Sequence, residues 1–277
     1  MAFTEKRLPE LAASLIEVPG VTGVLLGGSR ARGAQTPDSD WDLGLYYRAP
    51  LDLDALRECA REYGGPTAQL TEPGEWGPWV DGGGWLTVDG SAVDWIYREV
   101  DRVSRACDDA ERGHYEFHAQ TGHPLGVPSF SYAGEVALGV ILADPTGELA
   151  ALQRRARDFP AALTEALVDG LWEADFLVGL ARKAVPRADS GYVAGCLFRL
   201  AGVCAHALHG AAGRWLINEK GAVAAAAALS GAPPRFREQV DAMFSCVDGD
   251  PLHLTAALET AGDLVLETAD ACAMMRR

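Results

Sequence analysis

Apolar positions change their spacing several times along the chain, and each change predicts a change of element. Leu8, Leu11, Ala12, Leu15 and Ile16 recur at three-and-four spacing, predicting a helix within Phe3 to Val18 with Pro9 tolerated in its first turns. Pro19-Gly20 ends it. Val21, Val24, Leu25 and Leu26 then form an apolar run bounded by glycines, a short buried strand, and Asp42 to Tyr47 predicts a second. Asp52-Leu53-Asp54-Ala55-Leu56 opens a helix with acids at its positive end; it runs to Tyr63 and stops at Gly64-Gly65-Pro66. Leu70 to Gly84, rich in Gly, Pro and Trp, predicts a loop. Gly84 to Val88 and Ala92 to Tyr97, joined by Asp89-Gly90, predict a β-hairpin, and Glu99 to Glu111 a charged helix. Gly113 to Pro128 is broken by Gly and Pro and reads as a loop. Val136 to Ala143 reads as the last strand, ended by Asp144-Pro145-Thr146-Gly147.

From Glu148 the pattern is helical and alanine-rich. Helices are predicted over Glu148 to Arg157, Ala161 to Val185, Ser190 to His209, Lys220 to Leu229, Pro234 to Phe244 and Thr255 to Met275. The breaks fall at Pro160, Pro186, Gly210, Gly213, Pro233-Pro234 and Pro251. The fold class expected is therefore α+β: residues 1–147 with a β-sheet and flanking helices, followed by an all-α domain over 148–277 that completes a ligand cleft. A length of 277 residues suits two domains of ordinary size.

Composition narrows the partners. No apolar run is read as long enough to span a membrane, and Met1 to Glu17 carries alternating charge rather than the apolar core of a secretion signal, so a cytoplasmic location is expected. The six cysteines show no Cys-x-x-Cys pair and no regular spacing, which suits reduced core thiols better than a zinc site or disulfide framework. A net charge of −15 without a basic run disfavours polynucleotides, which are bound by neutralising phosphates. The same charge would draw in a cationic small molecule.

Candidate chemistry concentrates in Gly27-Gly28-Ser29-Arg30-Ala31-Arg32-Gly33 and Ser39-Asp40-Trp41-Asp42-Leu43-Gly44. Along a strand side chains alternate, so Asp40 and Asp42 point one way and Trp41 the other. Two adjacent carboxylates repel unless a cation lies between them, and a hard oxygen-seeking ion such as Mg²⁺ fits. The glycines let backbone N–H groups approach a phosphate, with the Ser29 hydroxyl as a further donor. A Walker A loop is excluded because Ala34-Gln35 stands where Lys and Ser/Thr are required, and a nucleophile elbow because Ala31 replaces its second Gly. A Gly-rich hairpin with two solvated aspartates is the remaining plain reading of these residues.

Gly28-Ser29, ten intervening residues, then Asp40-x-Asp42 between apolar strands resembles the signature of the nucleotidyltransferase superfamily. That superfamily includes DNA polymerase beta, antibiotic nucleotidyltransferases and minimal antitoxins. Asp94, within Ser91-Ala92-Val93-Asp94-Trp95-Ile96-Tyr97, supplies the third carboxylate that the family carries on a later strand. The resemblance implies an N-terminal mixed sheet and transfer of a nucleoside monophosphate from a triphosphate, with ATP the commonest donor, to an acceptor hydroxyl. Asp40, Asp42 and Asp94 would be catalytic and hold two Mg²⁺ ions. Gly27, Gly28 and Ser29 would hold the donor's phosphates, with Arg30 and Arg32 further candidates. The layout is nearest to two-domain aminoglycoside-type enzymes, implying a small acceptor; modification of a protein hydroxyl and a silent nucleotide-binding regulator are the alternatives.

Outside the motif, Glu165, Asp169 and Glu173 recur every four residues, an acidic helical line that reads first as a solvated face and second as a wall for an amine-bearing substrate. Trp76 and Trp79 would stack on a ring or form a hydrophobic lid. Lys220, in Arg214-Trp215-Leu216-Ile217-Asn218-Glu219-Lys220-Gly221, resembles the lysine at a helix start that faces the triphosphate in two-domain members; a surface lysine is the other reading. His114, His118 and His123 lie without cysteines or acidic clusters, so a bordering loop is favoured over a metal site.

Overall fold

The computed structural model describes residues 3–276. The first two residues of the Met1 to Glu17 segment, and Arg277 of the predicted second domain, lie outside them. Contacts divide the chain into two compact units. One holds the chain up to Asp109 together with Glu116–Asp158, and the other Ala110–Tyr115 with the chain from Phe159 onward.

The first unit runs α1 (Leu8–Ile16), β1 (Val21–Leu26), α2 (Gly28–Ala31), β2 (Trp41–Tyr47), α3 (Leu53–Gly64), β3 (Gly83–Val88), β4 (Ser91–Glu99), α4 (Val100–Glu111), β5 (Phe117–Gln120), β6 (His123–Pro128), α5 (Ser131–Leu138), β7 (Val140–Ala143) and α6 (Glu148–Ala156). α4 carries the chain across into the second unit at its end. Five strands form one mixed sheet in the order β3-β4-β2-β1-β7. Only β2 and β4 pair in parallel; the other neighbours are antiparallel.

Strand alternation gives this sheet two unlike faces. Leu43, Leu45, Tyr47, Val93, Trp95 and Tyr97 point into a core shared with Leu11 and Leu15 of α1 and Leu56 of α3, all buried. Asp42, Gly44, Tyr46, Asp94, Ile96 and Arg98 take the opposite parity, and α5 reaches that face through Glu135. The local chemistry behaves as the sequence implies at two ends: the Asp52 carboxylate caps α3 by accepting from the Ala55 N–H at 3.0 Å. Asp89 (φ 49°) and Gly90 (φ 77°) both take the left-handed region, as a two-residue hairpin turn between β3 and β4 requires.

The second unit is helical: α7 (Ala161–Asp169), α8 (Trp172–Arg182), α9 (Ser190–Ala211), α10 (Ala222–Ala227), α11 (Phe236–Ser245) and α12 (Pro251–Met275). α9 packs against each of the other five and is the spine of this core. The expectation that no run is long enough to span a membrane is corrected here. α9 has the length and apolarity, and 67% of its apolar window is buried inside the protein, as in the central helix of a bundle. None of the six cysteines is in a disulfide, and five are buried.

Four further expectations are corrected. Gly113 to Pro128 is not a plain loop: β5 and β6 pair antiparallel as a separate two-stranded sheet turning at Thr121-Gly122. Val136 to Ala143 is not one strand. Its first half belongs to α5, which Glu135 anchors to the sheet, and Gly139 turns the chain extended so that only Val140–Ala143 pairs with β1. The helix expected over Ala161 to Val185 breaks at Gly170, where a Cβ would lie 2.8 Å from the Tyr115 hydroxyl. Finally α6 belongs to the first unit, because Leu149 packs over Gly23 of β1 so closely that a Cβ there would meet its side chain at 2.4 Å.

Candidate active site

The site begins with a turn that only glycine can make. Gly28 follows β1 with φ 62°, and a Cβ placed on it would sit 1.7 Å from Oδ2 of Asp42. The backbone at 28 is therefore pressed against that carboxylate. Gly27 ties the turn to β2 by donating its N–H to the Asp42 carbonyl at 2.8 Å, so this amide is committed to the fold rather than offered to a phosphate. Ser29 follows in the single turn of α2.

Asp94 is brought to the same place by strand register. β2 and β4 run parallel with Asp42 directly opposite Asp94, Gly44 opposite Ile96 and Tyr46 opposite Arg98. Both carboxylates are half-buried, on adjacent strands and on one face. Asp40 stands on the exposed residue but one before, just ahead of β2. Burial pushes the Asp42 carboxyl above its ordinary range, with the charges of Glu135 and Asp40 adding to the effect and Arg98 and Arg32 opposing it. Asp94 is pushed up to about 6, first by burial and then by the charges of Asp42 and Asp40. Asp42 and Asp94 thus both hold their protons more tightly than free carboxyls do, the electrostatic sign of a site short of positive charge.

Among the described residues no three His, Cys, Asp or Glu side chains converge into a finished metal cage. The donor set that does exist, two facing carboxylates with a third nearby, fits an ion that keeps water and substrate phosphate in its shell, as Mg²⁺ does. A closed four-ligand structural site would not look like this.

The arginines of the motif have other work. Arg30 lies 4.0 Å over the Trp41 ring and donates from Nε to the carbonyls of Ser39 (3.1 Å) and Asp40 (3.0 Å), so it shapes the loop that presents Asp40. Arg32 is exposed and donates to the Gly28 carbonyl at 3.1 Å.

Trp76 stacks on Trp85 with centroids 4.4 Å apart. Trp79 stacks on His118 at 3.9 Å and on Tyr132 at 5.1 Å, and its backbone carbonyl accepts from the Tyr132 hydroxyl. Gln120 of β5 clamps the same loop, donating to the Trp76 carbonyl at 2.7 Å and accepting from the Val80 N–H at 3.0 Å. His118 is thereby a packing partner of Trp79, and none of His114, His118 and His123 belongs to a metal-binding group among the described residues.

The remaining candidates lie in the second unit. Glu165 and Asp169 are exposed on α7. Glu173 is not in line with them, because the helix has broken at Gly170; on α8 it accepts two hydrogen bonds from Arg199, at 2.6 and 3.0 Å. Lys220 is exposed, two residues before α10, with its N–H on the Asn218 side chain at 2.8 Å.

Sequence reasoning passed over Arg98, Glu135 and Tyr46, which share the acidic face. Arg98 stands four residues after Asp94 in the same strand, so period-two alternation alone placed it on that face. Glu135 carried no such signal, since it falls between the expected loop ending at Pro128 and the expected strand starting at Val136.

Residues 8–70 match the family model of the nucleotidyltransferase domain. That segment holds the glycine turn, Asp40 and Asp42, while Asp94 lies beyond it and is joined to them by the β2–β4 register. No curated protein matches the chain. A nucleotidyltransferase-like protein from Exiguobacterium sibiricum is similar in structure with a TM-score of 0.49 and 12% sequence identity, over 98% of this chain and 77% of that one. The glycine turn, Asp40 and Asp42 thus lie in a stretch of the chain that is similar to a nucleotidyltransferase domain.

Proposed function

We propose that the protein transfers a nucleoside monophosphate, with ATP as donor, to a hydroxyl of a small cationic acceptor such as an aminoglycoside-like compound, releasing pyrophosphate. What carries this reading is the pairing of Asp42 with Asp94 across adjacent parallel strands, against the bare backbone of Gly28. General nucleotidyl transfer is supported by the likeness of residues 8–70 to a nucleotidyltransferase domain. Donor base, metal and acceptor are our inference.

In this reading Asp40, Asp42 and Asp94 hold Mg²⁺, two ions being expected. When bound, the metal supplies Lewis-acid stabilisation of the entering and leaving oxygens. The chain's own groups orient and move protons. The N–H groups that open α2 at Gly28 and Ser29 have no earlier helical partner and, with the Ser29 hydroxyl, hold the phosphates beyond the reacting phosphorus. Asp94 completes the metal site or, where it stays off the metal, accepts the acceptor's hydroxyl proton at a carboxylate oxygen. The acceptor oxygen bonds to the α-phosphorus as the bond to pyrophosphate breaks, and one proton is released. A net charge of −15 favours an acceptor bearing amines.

Incubation with labelled ATP, Mg²⁺ and a panel of aminocyclitols, other hydroxylated amines and proteins tests this. Pyrophosphate together with a labelled small molecule is expected, and Asp42→Asn or Asp94→Asn should each slow its release at least ~100-fold. Label on protein instead would move the reading to the antitoxin type. Nucleotide binding without turnover would make the chain a regulator.

A further inference from the structure

Behind the paired acids lies a buried ion pair that the proposed reaction does not use. Arg98 and Glu135 are 8% and 17% exposed at the side chain, and Arg98 Nη2 lies 2.6 Å from Glu135 Oε2. Arg98 Nε also donates to both carboxylate oxygens, at 2.9 and 3.1 Å, and Nη1 donates to the Tyr97 carbonyl at 3.0 Å. The Tyr46 hydroxyl donates to Glu135 Oε1 at 3.2 Å, and the Arg98 guanidinium lies 5.0 Å over the Tyr132 ring. Such a pair is costly to bury, and well-packed apolar side chains of similar volume often serve stability as well, so packing is a weak account of it.

Its placement gives it a use. Gly44 separates Asp42 from Tyr46 on the acidic face, and a Cβ on Gly44 would come within 3.2 Å of Glu135 Oε1. The missing side chain opens a notch through which the Glu135 carboxylate sits on the sheet, one pleat repeat of about 7 Å along β2 from Asp42. The face therefore reads Asp94 and Asp42, then Glu135, then Arg98 as the buried cation farthest from the paired acids.

We propose that Glu135, pinned by Arg98 and Tyr46 in the notch above Gly44, is a positioning carboxylate for the divalent cation held at Asp42 and Asp94. It adds negative charge beside the ligands without itself being a ligand, because both its oxygens are committed to Arg98 and Tyr46. Arg98 fixes its place and prevents a lone buried charge. This rests on the nucleotidyl-transfer reading of the same site.

Direct binding of Mn²⁺ to the full chain, followed by electron paramagnetic resonance together with thermal unfolding, separates the possibilities. Asp42→Asn should abolish site binding. Glu135→Gln, which keeps the shape and removes the charge, should weaken Mn²⁺ affinity about 10-fold, while Glu135→Asp restores part of it. If Asp42→Asn leaves Mn²⁺ binding unchanged, the metal reading falls and this proposal with it. If Asp42→Asn abolishes binding but Glu135→Gln binds Mn²⁺ like the unaltered chain and only unfolds earlier, the pair is structural and the proposal alone is overturned. Should Glu135→Gln not fold, the joint replacement Arg98→Met with Glu135→Met leaves no lone buried charge, and a weakening in the same direction but smaller is expected of it, since Arg98's opposing charge is removed too; Mn²⁺ affinity equal to that of the unaltered chain would overturn the proposal.

Discussion

At residue 28 backbone conformation and the neighbouring carboxylate both demand glycine. Gly28→Ala must hold a left-handed backbone, costing about 1–2 kcal/mol, and must also move Asp42, whose Oδ2 occupies the space of the new methyl. The expected result is a modest fall in melting temperature and a much larger fall in turnover, separable by calorimetry and pyrophosphate release. Asp94 gives a pH signature. Its folded pKa of about 6 lies above the ordinary 3.8, so the folded state holds the proton more tightly. Its stabilising contribution is complete below the unfolded value and is lost as pH rises through about 6. In metal-free buffer Asp94→Asn should therefore raise the unfolding free energy at pH 7.5 by roughly 1 kcal/mol, after allowance for solvent screening of a half-exposed group, and the gain should vanish toward pH 4. An equal gain at both ends would refute the assignment. The three aspartates were legible because acids amid strand formers violate the local pattern. Glu135 was not, since its partner Arg98 lies 37 residues away in sequence and no short-range spacing records the pair.

Among the elements, β2 and β4 were read correctly from their apolar runs, but their adjacency was not available from those runs. Parallel pairing is a long-range choice, and it alone sets Asp42 against Asp94. The hairpin of β5 and β6 escaped notice because its strands are short and contain Gly126, Pro124 and Pro128, residues that ordinarily mark loops. Yet it has a definite task, for Gln120 bridges two backbone groups of the tryptophan loop. Gln120→Ala should cost about 1–2 kcal/mol through two lost hydrogen bonds and should speed amide exchange across residues 76–80 while leaving β2 and β4 protected. Exchange raised evenly over the whole unit would show instead that the hairpin supports the sheet itself.

For the whole molecule, charge and connectivity matter most. With a net charge of −15, duplex DNA should give no mobility shift at physiological salt. The KM of a cationic acceptor should rise as salt is raised from about 0.05 to about 0.5 M, with that of ATP changing less or in the opposite direction. A flat response would remove the electrostatic argument for an amine-bearing acceptor. Composition made this sign legible from the outset, whereas the division of the chain was not, since α6 looks in sequence like any helix of the second half and is retained by Leu149 over Gly23.

The short visit of Ala110–Tyr115 to the second unit means that the backbone passes between the units three times, not once. Gly113 lies so close to Ala162 that a Cβ there would approach its carbonyl oxygen to 2.6 Å. A gene fragment ending at Asp158 would thus encode an orphaned hexapeptide stitched into an otherwise whole first unit, and one starting at Phe159 would lack that stitch. Recombination by a single crossover, in the laboratory or over evolutionary time, has no clean seam at which to part the two halves.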